Sequence, residues 1–234
     1  MELIGHRGCA AQYPENTLQA VRESASRLNA VEIDVRRCAT GELVAFHDET
    51  LERVAGVARP LGETDRETLA DLDVLESGEP IPLVSDVLEA IPEDATLQLE
   101  LKETGLVEDL RELLSAAGVD HRLSSFMPEA LAEVRDAGWS VPTGLLFGED
   151  PVENLERARA LECAYAHPHW ELCLETDVVT RAKDDGFGVL AWNTDSPEIV
   201  ELVRRAGVDG ITTDRWDLGP EPEAELGVSV PATD

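Results

Sequence analysis

Residues 30–35 read Ala-Val-Glu-Ile-Asp-Val. Apolar and acidic side chains alternate with the period of two that a β-strand imposes. Val31, Ile33 and Val35 therefore share one face, and Glu32 and Asp34 the other. Two carboxylates on an otherwise apolar strand are costly to bury unless they are paired or bind a cation. A later segment, 96–101, has the same character: Glu100 is followed two positions on by Lys102. Outward from these two segments, short β-type runs alternate with helical patterns from end to end. Strand candidates lie at 3–5, 30–35, 96–101, 122–125, 143–147, 163–166, 188–192 and 210–213. Helical patterns lie at 17–28, 106–117, 128–137, 152–161, 176–185 and 197–206. Eight strands with helices between them predict an α/β fold, a (β/α)8 TIM barrel. A doubly wound sheet is the alternative, but neither GxGxxG nor a Walker motif is present.

One stretch breaks the alternation. Residues 42–46 look like an extra strand behind the second, after a turn at Thr40 and Gly41. Residues 47–82 then run polar and helix-poor, punctuated by Gly56, Pro60, Gly62, Gly78, Pro80 and Pro82. This predicts a small insertion after the second strand. The expected organisation is a single barrel domain over 1–218 and an acidic, proline-containing, disordered tail over 219–234.

Composition narrows the partners. The chain of 234 residues carries 49 acidic and 19 basic side chains, a formal charge of −30. Only Lys102 and Lys183 are lysines. Such a field repels polyanions, which argues against nucleic acid and against stable association with an anionic membrane. At molar salt the Debye length falls to about 3 Å and self-repulsion is screened. An acidic, lysine-poor chain is thus expected from a halophile. The start of the chain shows no apolar signal region, and no apolar run approaches the roughly 20 residues of a membrane span. Cys9, Cys38, Cys163 and Cys173 have neither zinc-site nor disulfide spacing. A cytoplasmic protein with reduced thiols is expected; its oligomeric state is left open.

The chemistry sits where strands end. His6 and Arg7 follow the first strand, Glu32 and Asp34 lie on the second, His47 and Asp48 end the extra β segment, and Glu100 and Lys102 end the third. Barrel enzymes place their sites at these C-terminal ends. Three carboxylates at one mouth suit a hard divalent cation, Mg²⁺ or Ca²⁺. Arg7 and Lys102 suit an anionic substrate, the arginine fork matching phosphate oxygens. Two histidines can share proton transfer near neutral pH. The combination points to metal-assisted hydrolysis of a phosphate ester.

The motifs that carry these residues resemble those of the glycerophosphodiester phosphodiesterases. They are His6-Arg7-Gly8, Pro14-Glu15-Asn16-Thr17, Glu32-x-Asp34, His47-Asp48 with Leu51 and Arg53, and Glu100-Leu101-Lys102, in that order. Ser124-Ser125-Phe126, Trp192 and the run from Gly207 to Asp214 are also similar, so the resemblance spans roughly 3–216. It implies a TIM barrel with a small insertion and His6 and His47 as the acid/base pair. It further implies Glu32, Asp34 and Glu100 as metal ligands, Arg7 and Lys102 on phosphate, and Trp192 as a wall of the pocket. Glu15 and Asn16 would order the loop beneath His6 and Arg7.

Cys38 and Thr40, Asn193 to Asp195, and Arg215 depart from the family pattern. They touch the pocket wall and head-group preference rather than any proposed ligand. Asp48 would support the site by pairing with His47. Arg53 either ties down the insertion or contacts substrate. His167 and His169 read as surface histidines, and Asp214 as a structural hydrogen-bonding group. Two rival readings are a phospholipase-type phosphodiesterase on the same fold and a non-catalytic phosphodiester-binding barrel. The small substrate would be a glycerophosphodiester, yielding an alcohol and glycerol phosphate.

Overall fold

The computed structural model describes residues 1–218; the expected tail, 219–234, lies outside them. Its strands are β1 (Glu2–Gly5), β2 (Ala30–Arg37), β3 (Leu43–Ala45), β4 (Thr96–Leu101), β5 (His121–Ser125), β6 (Thr143–Phe147), β7 (Tyr165–Pro168), β8 (Gly188–Ala191) and β9 (Gly210–Thr213). Their order is β1-β9-β8-β7-β6-β5-β4-β2, and β1 pairs with β2 to close the ring. Every pair in the ring is parallel, and β3 hangs antiparallel on β2 outside it. This is a (β/α)8 TIM barrel with one appended strand.

Alternation along the strands sorts the side chains. Val31, Ile33 and Val35 on β2 and Leu97, Leu99 and Leu101 on β4 pack outward, in one cluster with Val21, Leu106, Leu110 and Leu114 of the flanking helices. Each such burial contributes about 1.5–3 kcal/mol. The opposite faces point into the barrel. Registering Asp34 beside Glu100 and Glu32 beside Gln98 brings the carboxylates of two strands to neighbouring rungs.

Two expectations need correction. The seventh strand lies two residues later than expected, at Tyr165–Pro168, because Cys163 still closes the preceding helix, its N–H donating to the Ala158 carbonyl. His167 therefore sits in a strand, facing inward with 1% exposure, and is not a surface histidine. His169, just beyond the strand, meets Trp192 edge to face with ring centroids 4.8 Å apart.

The insertion is helix-poor but less polar than expected. It holds short helices at Glu52–Ala55 and Arg66–Ala70 and an apolar cluster that includes Leu51, Val54, Leu61, Leu69, Val74 and Ile81. These positions are spaced too irregularly to read as a periodic face. Helices at Val84–Ala90 and Trp170–Glu175 also went unforeseen, being short. No described helix is long and apolar enough to cross a membrane.

Candidate active site

The His6–Gly8 turn begins the site. Arg7 adopts φ 49° and Gly8 φ 77°. A Cβ on Gly8 would lie 2.6 Å from the Ala20 Cβ and 2.7 Å from its carbonyl carbon, so only glycine fits. The unusual Arg7 backbone is held at both ends. Its N–H donates to Glu32 Oε2 at 2.8 Å, and its carbonyl accepts from the Asn16 N–H at 2.9 Å. Asn16, itself at φ 57°, exchanges two hydrogen bonds with Asp34: Nδ2 donates to Oδ2 at 2.9 Å, and Oδ1 accepts from the Asp34 N–H at 3.1 Å. Thr17 then caps the first helix, accepting from the Ala20 N–H. The Pro14–Thr17 motif is thus a bracket beneath the Arg7 loop.

Around this bracket, Arg7 reaches Glu15 Oε1 at 3.0 Å and lies 3.2 Å from Asp34 Oδ2. Lys102 Nζ lies 2.6 Å from Glu100 Oε1 and 3.5 Å from Asp34 Oδ1. His6 Nδ1 is 2.5 Å from Asp214 Oδ1. His47 Nδ1 is 2.6 Å from Asp48 Oδ1, and its carbonyl accepts from Arg36 Nε at 2.7 Å. Arg53 bonds both Glu15 and Asp48. A cavity of about 240 Å³ is lined by His6, Arg7, Glu32, His47, Glu100, Lys102 and Trp192, among others. Gln98, Leu146 and Thr212 also line it, and Phe126 meets Trp192 edge to face at 5.0 Å.

Asp214 changes meaning here. Its hydrogen bond goes to His6, and Asn193 Nδ2 donates to its second oxygen at 3.3 Å. In the sequence Asp214 closes the family-like run from Gly207 and ends the last strand, but nothing there ties it to His6. Phe126, Asn193 and Thr212 lie in stretches already compared with the family, whereas Gln98 and Leu146 carried no signature that marked them as cavity-lining.

Glu32, Asp34 and Glu100 each offer an oxygen, all within 4.8 Å of one another. Glu32 Oε1 and Asp34 Oδ1 are buried without a hydrogen-bond partner. Glu32 Oε1 has no partner and Asp34 Oδ1 meets only Lys102 Nζ, at 3.5 Å, so the cluster could hold a hard divalent cation. Burial, then the charge of Asp34, raises the pKa of Glu32 and of Glu100. Burial would raise Asp34 too, but Arg7 and Lys102 outweigh it and hold its pKa low.

The histidines diverge. Burial alone would lower His6, yet the Asp214 hydrogen bond and the Glu32 and Asp214 charges win and carry it up to about 9. Burial dominates at His47, where Arg7 and Lys102 also oppose protonation, and its pKa falls below the ordinary value.

Two cations, a carboxylate cluster that could hold a metal ion and two histidines of unlike surroundings thus meet at one barrel mouth. The sequence profile of the glycerophosphoryl diester phosphodiesterase family matches residues 6–218, and the chain belongs to that family. It is 30% identical to the glycerophosphodiester phosphodiesterase of Caldanaerobacter subterraneus subsp. tengcongensis, over 91% of this chain and 93% of that one. Among solved structures, an Oleispira antarctica phosphodiesterase in complex with its product sn-glycerol 3-phosphate superposes with a TM-score of 0.84 at 27% identity, covering 92% of this chain and 93% of that one. A Thermotoga maritima glycerophosphodiester phosphodiesterase superposes with a TM-score of 0.81 at 28% identity, covering 93% and 96%. The chain is a phosphoric diester hydrolase.

Proposed function

We propose that the protein hydrolyses glycerophosphodiesters to an alcohol and glycerol phosphate with His6 as general acid and His47 as general base. The observation that carries this reading is the pair of histidines lining one cavity with opposite pKa directions. Arg7 and Lys102 hold the phosphate oxygens. His47 takes a proton from the attacking water as the water oxygen bonds to phosphorus. The bond from phosphorus to the departing alkoxy oxygen breaks, and His6 protonates that oxygen. Asp48 and Asp214 hold each imidazole through Nδ1, leaving Nε2 for the substrate. Glu32, Asp34 and Glu100 would hold Mg²⁺ or Ca²⁺, which supplies positive charge to the phosphate as charge builds there. Trp192 and Phe126 wall the pocket against the substrate's carbon skeleton. A cytoplasm rich in salt is the setting the acidic composition suits.

The test is hydrolysis of a glycerophosphodiester panel in molar KCl, with and without EDTA, for the wild type, His6→Ala and His47→Ala. The expected result is turnover that EDTA abolishes and that either substitution lowers by about 100-fold or more. Full activity in EDTA, or in both variants, would overturn the mechanism. Turnover of intact phospholipid but none of the deacylated diesters would favour the phospholipase reading. Tight binding without hydrolysis under any metal or salt condition would favour the binding barrel.

A further inference from the structure

We infer that Arg53, supplied by the insertion, is a positioning residue that couples the phosphate-holding Arg7 to the proton-carrying His47 through the carboxylates of Glu15 and Asp48. The inference rests on the roles proposed above for Arg7 and His47. Arg53 Nη1 donates to Glu15 Oε2 and Nη2 to Glu15 Oε1, each at 2.7 Å. Glu15 Oε1 also accepts from Arg7 Nη1, so one carboxylate oxygen is shared between the two guanidiniums. On its other edge, Arg53 Nε donates to Asp48 Oδ2 at 2.7 Å, while Asp48 Oδ1 faces His47 Nδ1.

One planar cation thus spans two carboxylates from different loops, and each carboxylate grips a site residue on its far side. The rigid fork sets the separation of those carboxylates, which a lysine ammonium on a flexible stem cannot do. Arg53 does not line the cavity, so substrate contact is not its route to the chemistry. Its neighbour Val54 is buried in the insertion's apolar cluster, which is what aims Arg53 at the barrel. An ordinary exposed ion pair is worth little. This one matters because its partners are already engaged with Arg7 and His47. The Arg53 side chain is 47% exposed, so replacing it leaves the cores untouched.

The experiment compares Arg53→Ala and Arg53→Lys with the wild type, alone and combined with Glu15→Gln or Asp48→Asn. In Arg53→Ala the expected loss in kcat/KM is about 100-fold, from misplaced reacting groups, with kcat lowered and KM raised in protein that remains folded. Ethylguanidinium restores activity to Arg53→Ala and ethylammonium does not; Arg53→Lys stays well below wild type. Asp48→Asn adds no further loss in kcat on the Arg53→Ala background, and Glu15→Gln no further rise in KM. Wild-type kcat and KM in Arg53→Ala, full activity in Arg53→Lys, or additive double variants would overturn the inference. Two readouts need no turnover: the His47 ring ¹⁵N shifts and the affinity for sn-glycerol 3-phosphate. Both are expected to change in Arg53→Ala. If the wild type cleaved no glycerophosphodiester, the proposed function would fall, and unchanged His47 ring shifts in Arg53→Ala would still separately overturn the coupling.

Discussion

His6 and His47 are the same residue type in one cavity, and their surroundings push them apart. His6 has a carboxylate on Nδ1 and Glu32 nearby; burial dominates at His47, where Arg7 and Lys102 also oppose its proton. If His6 must carry a proton and His47 must not, activity falls on both sides of a window. On the acid side it fails as His47 protonates, below the ordinary histidine range. On the alkaline side it fails as His6 loses its proton, toward about 9. A divalent cation beside Glu32 offsets charge that favours that proton and moves the alkaline limb to lower pH. Asp214→Asn removes the hydrogen-bonded charge, so the same limb should move lower still, with kcat down by about 100-fold or more. The kcat–pH profiles of both proteins check this; an alkaline limb that does not move in Asp214→Asn contradicts the assignment. His6 was legible from its motif. The partner of Asp214 was not, because His6 lies 208 positions away in sequence.

Strand-level packing sets the barrel interior. His167 is buried on β7, where burial, then the Arg122 charge, lowers its pKa to about 3 and keeps it neutral. Its room comes from a glycine on β6: a Cβ on Gly144 would meet His167 Nε2 at 2.4 Å. Gly144→Ala should therefore destabilise the barrel by about 1–3 kcal/mol through overpacking, measured by denaturant unfolding. The insertion packs an apolar cluster onto Cys38, Val44 and Phe46, and Leu61 is buried in it. Leu61→Ala should cost about 2–5 kcal/mol of that unit's stability. Because Arg53 hangs from the same unit, kcat/KM should fall with it; unchanged kinetics in a measurably loosened insertion would separate the two. The strands were readable from alternation, while the insertion's apolar cluster was not, since its residues converge only after the chain has folded back on itself.

Across the whole molecule, Arg7 and Lys102 neutralise only part of the charge of the Glu32, Asp34 and Glu100 cluster, and a bound divalent cation would neutralise more of it. Mg²⁺ or Ca²⁺ should raise the unfolding temperature, by about 2.7 kcal/mol of added stability at a hundred times its dissociation constant. Glu32→Gln should lose both that shift and activity. A wild-type melting curve indifferent to either ion would argue against the site. The formal charge of −30 acts at longer range. Lowering KCl lengthens the Debye length and should first raise KM, as the negative shell repels an anionic diester, and then unfold the chain. A KM that rises with added salt in folded protein would contradict this.

The sequence by itself determined the alternating architecture, the acidic composition and which motif residues were candidates for the site, because strand periodicity and short motifs are local properties of the chain. It was enough to place Glu32 and Asp34 on one face and Lys102 beside Glu100. Only the tertiary structure decided that Asp214 holds His6, that His167 is buried, and that Arg53 joins two loops rather than meeting the cavity. Each depends on groups brought together by barrel closure or by the folding of the insertion onto its mouth, contacts that no local pattern encodes.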